Sequence, residues 1–465
     1  MSLLRSLPPS IPRRVSNVVL AAMAAASPVA MATPVAAQTM NRSSSARALT
    51  LRDVLDSTLA RHPLAEAARA RVRAAEGART TARAFGNPVL SYDVENAPFP
   101  GSSSVVAMPR ETMATGMLPL ESLFQRWPRA RRADADVRAA AADALGARQQ
   151  LALDATRAYF RLALAQISVD VARDLQTWLD SVVVYNRTRF EQGVAAEADL
   201  IRTELERDRA AAEATMHEAN HARARAELAA FVGDSSFAPT NLVVAIDDEP
   251  LRLPPPGGNV PVASPDVARA DLSRRPDVRA ARERVTASDA SVTSEKSMIV
   301  RQLGATFGAK WTEGTTSMVA GLSMPFPIFD QNRGEIQRAA ADRDVVAYEL
   351  AARERMARAE LAGAYEAARL LTDRVSLLAR ATDGRPSFLT RADEARRIAL
   401  GAYREGAVSL LQVIDAARTW GDSRRAFYET LFAQHESVAL LLVARGDDLL
   451  TELPALASSG PANQR

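Results

Sequence analysis

The sequence predicts a mainly α-helical protein with a small β part, built from two copies of one structural unit. Arg61-His62-Pro63 and Arg274-Arg275-Pro276 each open a helical segment, and these motifs lie 213 residues apart. Gly193 and Gly406 each interrupt a long helical segment, and the same 213 residues separate them. Two landmarks with one offset indicate an internal duplication, whose unit is far longer than a solenoid repeat. Such an architecture favours a structural role over an enzyme with a single pocket.

The absence of cysteine and the low net charge exclude several functional classes for this protein. The 465 residues include no cysteine, which fits an exported protein and excludes thiolate metal sites and lipid attachment through cysteine. The formal net charge of +3 is matched by the three arginines of residues 1–37, so the rest of the chain is nearly neutral. The sequence contains no basic patch with interleaved aromatic residues, so it does not predict nucleic-acid binding. We expect no cofactor.

Residues 1–37 have the pattern of a secretory signal peptide. Arg13-Arg14 precede an apolar run at 15–26, and Val35-Ala36-Ala37 offers small residues for cleavage. We expect cleavage after Ala37, and a retained membrane anchor is the alternative. No later apolar stretch approaches the roughly 20 residues of a membrane-spanning helix. A membrane role would therefore require strands or an oligomeric barrel.

Four segments show the two-residue periodicity of strands. In the first, Leu90, Tyr92 and Val94 alternate with polar residues. Strands of about nine to eleven residues with one apolar side suit a lipid-facing barrel, and a soluble hairpin with one buried face is the alternative. The predicted strands are residues 88–96, 111–120, 303–311 and 317–325.

Long helices are predicted between the strand pairs. A helix over 129–190 would be roughly 90 Å long, so it must pack against other long helices. Residues 51–85 predict one N-terminal helix, and Pro386 predicts an irregularity in the second long helical segment. The predicted parts are a signal peptide at 1–37, a first repeat at 48–235 with a helical hairpin at 129–232, an irregular linker at 236–272, a second repeat at 273–453 with a hairpin at 334–445, and a disordered tail at 454–465.

His217-Glu218-Ala219-Asn220-His221 matches the H-E-x-x-H signature of zinc proteases. On a helix the two histidines would lie one turn apart and could share a zinc ion. The motif lies in a charged helical segment with no evident third ligand, which argues against a protease. A weak surface metal site is the second alternative, and solvated side chains are favoured over both.

Four stretches carry a resemblance to a known family, together with the duplication. The chain resembles the TolC family of outer-membrane efflux proteins, in its heavy-metal-efflux (CzcC-like) branch, from about Ala48 to Leu453. It departs from the family at Trp127-Pro128, where relatives usually have a glycine-rich turn. The stretches are Asn87 to Asn96, Met324 to Gly334, Arg189 to Leu200 and Ala402 to Ala416.

The resemblance implies a homotrimer whose twelve strands close a transmembrane β-barrel and whose helical hairpins form an α-barrel across the periplasm. It implies a passive duct, not an enzyme, that works with a periplasmic adaptor and an inner-membrane pump. The implied cargo is heavy-metal cations. Export of small organic molecules is the alternative within the family, and a periplasmic adaptor or coiled-coil scaffold is the alternative outside it.

The resemblance also assigns roles to the two glycine-centred turns. Gly193, Val194, Gly406 and Ala407 would form the periplasmic tip that docks the adaptor, and structural turns alone are the alternative. The implied periplasmic gate contains a hydrogen bond between Asp199 and Tyr403, so that Asp199→Ala or Tyr403→Phe would raise conductance. Gln412 and Asp415 complete the implied gate, where Asp415 could form a ring of three carboxylates and Gln412 replaces an expected acid.

Overall fold

The computed structural model describes residues 48–97, 108–233, 242–246, 271–301, 303–379, 381 and 386–458. The expected signal peptide at 1–37 and most of the expected linker at 236–272 lie outside these residues. Within them the chain forms nine α-helices and one four-stranded antiparallel sheet. The predicted fold class is therefore confirmed for the single chain: mainly α, with long helical hairpins and a small β part.

The N-terminal helical segment is divided at His62. α1 spans Leu51–Arg61 and α2 spans Pro63–Arg83. Pro63 has no backbone N–H to continue the helix and disfavours a helical conformation in the residue before it. His62 accordingly has an extended ψ of 132°. The prediction of one helix over 51–85 is therefore wrong at this proline.

The four strands form a single sheet in the order β1-β2-β3-β4. β2 pairs with β3 from Glu111 opposite Thr312 to Pro119 opposite Gly304. Because β2 belongs to the first copy and β3 to the second, this pairing joins the copies across a separation of about 200 residues. The strands are β1 Val89–Glu95, β2 Glu111–Pro119, β3 Gly304–Thr312 and β4 Thr315–Ser323.

One face of this sheet is apolar and exposed in the single chain. The strand registers place Tyr92, Ala114, Ala309 and Met318 in one cross-strand row on this face. Tyr92 is 68% exposed and Met318 is 72% exposed, and the next row adds exposed Leu90. An apolar surface of this extent requires an apolar environment or a partner.

The first hairpin starts directly after β2. α3 spans Ser122–Glu191, and its 70 residues give a length of about 105 Å. It begins before Pro128 rather than after it, so the predicted start at 129 is too late. Pro128 removes one backbone hydrogen bond without ending the helix. α4 (Glu197–Val232) packs along α3 near the turn, and α5 (Pro276–Ser297) also packs along α3.

The second copy repeats this plan with an interruption. α6 spans Arg333–Ala379, α7 spans Phe388–Arg404 and α8 spans Leu410–Arg445. Pro386 lies in the interruption between α6 and α7, as predicted. The side chain of Ser387 then caps α7 by accepting from the backbone N–H of Thr390 at 3.3 Å.

A ninth helix corrects the prediction for the C-terminal tail. α9 spans Leu449–Ser458 and therefore continues past residue 454, where disorder was expected to begin. Residues 459–465 lie outside the described part of the chain. Leu449 and Leu453 are almost fully buried and extend the main hydrophobic core. The second repeat therefore ends in a packed helix.

The structure that ends α4 in the first copy is repeated at the end of α8 in the second copy, 213 residues later. Gly233 ends α4 with φ 68°, and Gly446 ends α8 with φ 83°. His62 stacks on Phe231 with ring centroids 5.9 Å apart. At the equivalent place, Arg275 donates from Nη1 to the carbonyl of Ala444 at 3.1 Å. The duplication thus extends to the contacts that close each copy.

The main core lies where α3, α6 and α8 run side by side, with α1 packed onto them. Phe160 of α3 stacks on Phe432 of α8 with centroids 5.7 Å apart, and Leu162 and Leu431 are fully buried. Elsewhere the helix contacts are mostly alanines, which allow long helices to approach closely. Among the described residues, none of the helices combines the length and apolar content that crossing a bilayer requires.

Candidate functional site at the two helical turns

The two turns have the same backbone structure. Gly193 has φ 74° and Gly406 has φ 80°, in the left-handed region that favours glycine. The N–H of Val194 donates to the carbonyl of Arg189 at 2.9 Å, and the N–H of Ala407 donates to the corresponding carbonyl at 2.8 Å. These bonds are the six-to-one closure of a Schellman motif, which satisfies a carbonyl at the helix end. Both turns therefore fix the chain reversal through the backbone.

The helices that follow the turns begin differently. Ala196 precedes α4 and provides no side-chain cap, whereas Ser409 precedes α8 and forms a capping box with Gln412. The Gln412 Oε1 accepts from the Ser409 backbone N–H at 2.9 Å. In the single chain, Gln412 therefore acts as a helix cap. Asp199, at the equivalent third position of α4, is exposed.

The expected hydrogen bond between Tyr403 and Asp199 is not formed, so that prediction is wrong. The phenol of Tyr403 instead donates to Oδ1 of Asn186 at 2.6 Å. Asn186 lies on α3 and is fully buried, while the Asp199 carboxylate stays at the exposed start of α4. A buried phenol needs a buried acceptor, and Asn186 provides it.

This hydrogen bond is the first in a relay across three helices. The Nδ2 of Asn186 on α3 donates to Oγ1 of Thr203 on α4 at 2.9 Å. The Thr203 hydroxyl donates in turn to the backbone carbonyl of Asp199 at 2.7 Å. Every group in the relay is neutral, and both Asn186 and Thr203 have no exposed surface. The second hairpin is thereby tied to the first through Tyr403 of α7.

Aromatic and cationic groups surround the phenol. Tyr185 packs edge-on against Tyr403 with centroids 5.8 Å apart, and Arg189 lies 5.6 Å and 5.8 Å from the two rings. Burial raises the pKa of the Tyr403 phenol, so it stays protonated and able to donate. Val413 and Ile414 of α8 complete the small apolar cluster around it.

Asn186 was not among the residues predicted for the gate. The available signal was its spacing, four residues after the buried Val182, which places a lone amide on an inward-facing helical position. A buried amide on such a face must find a hydrogen-bond partner. The other residues assigned to the gate and the docking turns lie on the surface: Asp415 is exposed, as are both glycines and Ala407, and Val194 is 61% exposed.

The histidine pair has surroundings that do not fit a zinc protease. Glu218, the general base of that motif, accepts from Nη2 of Arg173 at 2.7 Å. The described residues contain no group of three or more His, Cys, Asp or Glu side chains arranged to hold a metal. His217 and His221 are half-buried, whereas solvated side chains were expected. Burial lowers the pKa of both imidazoles, with Arg425 and Arg225 as the next causes.

Part of this chain matches a known protein family. Residues 267–446 match the model of the outer membrane efflux protein family. Almost all of the matched residues lie in the second predicted repeat of the chain. The resemblance drawn from the sequence is therefore confirmed, and so is the expectation that the chain is a transport conduit rather than an enzyme.

Individual relatives agree with this assignment. The chain is 25% identical to the cobalt-zinc-cadmium resistance protein CzcC of Cupriavidus metallidurans over 369 residues, which cover 79% of this chain and 82% of CzcC. The solved structure of CusC matches with a TM-score of 0.71 and 17% identity, over 86% of this chain and 92% of CusC. The CmeC outer membrane channel of Campylobacter jejuni matches with a TM-score of 0.70 and 14% identity, over 88% and 89% of the two chains. The chain thus shares its fold with these solved structures.

Proposed function

We propose that this chain is an outer membrane efflux protein and the exit duct of a tripartite system that exports heavy-metal cations. Three copies would assemble, with their strands in the outer membrane and their helical hairpins crossing the periplasm. A periplasmic adaptor would dock on the turns at Gly193 and Gly406, and an inner-membrane pump would supply the energy. The duct itself would be passive.

The observation that carries this proposal is the placement of the two ends of α3. The helix starts three residues after β2, beside the exposed apolar face of the sheet, and ends about 105 Å away at the Gly193 turn. One chain therefore offers a lipid-compatible surface and, far from it, a tip formed by helical turns. This distance suits a protein that joins one membrane to a partner across an aqueous compartment.

We propose that the chain is organised as two repeats joined by a linker. Two repeats, at 48–235 and 273–453, would each supply one strand pair and one helical hairpin. The linker at 236–272 would lie part-way along the hairpins. Val244, one of its described residues, forms a parallel bridge with Leu49 and is almost fully buried. That contact supports a linker packed onto the helices.

The proposed gate is the neutral relay from Tyr403 to Asn186 and Thr203. It connects α7 of the second hairpin to both helices of the first, so the hairpins cannot separate at the tip without breaking it. Asp415 would line the tip as an exposed carboxylate ring in the trimer and attract cations. Asp199 would contribute to the gate through its backbone carbonyl.

Heavy-metal cargo is supported by the likeness to CzcC, a protein named for cobalt, zinc and cadmium resistance. A passive duct needs no ligand cluster of its own, because selectivity would reside in the pump. Small organic molecules are the second candidate cargo, because a passive duct would not itself select what it carries.

Deleting the gene in its native host tests both cargo classes. We expect lower tolerance of cobalt, zinc, cadmium or copper, with unchanged tolerance of organic toxicants, and recovery when the wild-type gene is restored. Loss of tolerance only toward organic toxicants would reject the metal cargo and keep the duct. Heat-modifiable migration in outer-membrane fractions separately tests the trimer, and purely monomeric protein in soluble fractions would reject the duct itself.

A further inference from the structure

The pair His217 and His221 has no part in the duct described above. The two residues lie four apart on α4, so their Cβ atoms stand about 5–6 Å apart on one side of the helix. Neutral imidazoles at this spacing can bind one metal ion together. The chain has only four histidines, so this pairing on one helical turn holds half of them.

Their side of α4 is the side that packs against α3. Ala214, Ala224 and Leu228 are buried on α4, and the histidines continue the same three-and-four spacing between them. Alanine before and after the pair leaves room for two rings. A cavity of about 400 Å³ adjoins His217 and is lined in part by Ser168, so water and ions can reach that ring.

One ring nitrogen of the pair is available as a ligand. Nε2 of His221 is buried and has no hydrogen-bond partner among the described residues. Leaving a buried polar atom unpaired is unfavourable, and a bound ion or water would offset that cost. Burial also keeps both imidazoles in the neutral form that binds metals.

We propose that His217 and His221 form a two-imidazole site for a divalent transition-metal ion, with water completing the coordination. Imidazole suits copper, nickel and zinc, and Cu²⁺ should bind most tightly of the three. The negative charges of Asp170 on α3 and Glu213 on α4 act on the two imidazoles and favour a bound cation. Three nearby arginines act in the opposite direction and weaken the site. Those arginines are Arg173, Arg225 and Arg425. The site does not depend on the proposed cargo.

Copper titration of the full-length chain, purified in detergent without a polyhistidine tag, tests the site. We expect one Cu²⁺ per chain with an electron paramagnetic resonance spectrum showing imidazole nitrogen. His217→Ala and His221→Ala should each weaken Cu²⁺ binding by about tenfold or more. His62→Asn, which keeps a side-chain cap for α2, should bind Cu²⁺ as the wild type does.

A spacing variant separates paired binding from binding by any histidine. His221→Ala combined with Ala222→His keeps four histidines but places two of them on different sides of α4. This variant should lose Cu²⁺ as fully as His221→Ala. Wild-type affinity in the spacing variant or in both single variants, with unchanged helical circular dichroism, would overturn the proposal. A spectrum without imidazole nitrogen would also overturn it.

Discussion

The phenol of Tyr403 donates a 2.6 Å hydrogen bond to Asn186, which lies 217 residues earlier in the chain. The acceptor is a neutral amide, whereas the family resemblance implied the carboxylate of Asp199. Because Asn186 also donates to Thr203, one buried side chain connects α7 with α3 and α4. A tip held by neutral groups keeps the same contacts across the pH range in which carboxylates titrate.

Breaking this contact should loosen the tip. Tyr403→Phe removes the donor and leaves Oδ1 of Asn186 buried without a partner, at a cost of about 1–3 kcal/mol. We expect higher single-channel conductance in planar bilayers, and Asn186→Leu should act in the same direction. Conductance equal to that of the wild type in both variants would reject the relay as a gate.

Asp199→Asn is the matched control for the relay. Thr203 bonds to the backbone carbonyl of Asp199, so the substitution keeps that acceptor and removes only the exposed charge. We expect conductance close to that of the wild type. An increase as large as that of Tyr403→Phe would instead assign the latch to the carboxylate.

The turn glycines should be needed for their backbone conformation. A Cβ at Gly193 or Gly406 would meet no atom within 4 Å, so the penalty comes from positive φ alone. We expect Gly193→Ala or Gly406→Ala to lower the free energy of unfolding by about 1–2 kcal/mol, measured by guanidinium titration. Gly363→Ala, in the middle of α6 and equally free of contacts, should instead raise it by about 0.5–1 kcal/mol. Equal effects at all three positions would contradict this account.

Two adjacent residues of β4 test the apolar face of the sheet. Met318→Asp puts a charge into the exposed apolar row, whereas Ser317→Asp puts it on the opposite face. If the apolar face contacts lipid, Met318→Asp should reduce the amount of protein in outer-membrane fractions, and Ser317→Asp should not. Similar amounts of both variants in the membrane would argue for a different covering of this face.

Mild acid should destabilise the contact between α3 and α4. Burial holds the folded-state pKa of His217 and His221 below the ordinary value of 6.5, so the unfolded chain binds more protons there. The stability from the neutral rings is therefore present above pH 6.5 and is lost as the pH falls below that value. Thermal melting between pH 7.5 and 5.5 should show a larger decrease for the wild type than for the His217→Gln, His221→Gln variant. Identical decreases would place the pH dependence elsewhere.

Sequence periodicity correctly predicted the long helices and the four strands. The alternation around Tyr92 and the proline at 386 are local patterns, and local patterns determine where helices and strands form. The 213-residue offset then relates the elements of one copy to those of the other. Boundaries at prolines were harder to predict. Pro63 begins a helix and Pro128 lies inside one, because a proline near a helix start costs little and tertiary packing decides the rest.

The partner of Tyr403 could not be predicted in the same way. Asn186 and Asp199 both lie near the first turn in sequence, and only the packing of α7 against α3 decides which acceptor the phenol reaches. The resemblance favoured the acid because the family carries one there. The buried position of Asn186, set by the fold as a whole, determines the outcome.

The pairing of β2 with β3 leaves one open edge on each copy, β1 on the first and β4 on the second. Each internal copy therefore contributes one antiparallel strand pair, and the two pairs have the same orientation in the sheet and similar lengths. In the proposed trimer, β4 of one chain would meet β1 of the next in the way that β2 meets β3 within a chain. Six nearly equivalent hairpins would then surround the pore, and the ring of three chains would have an approximate sixfold symmetry. An ancestral half-length chain could have closed the same ring as a hexamer.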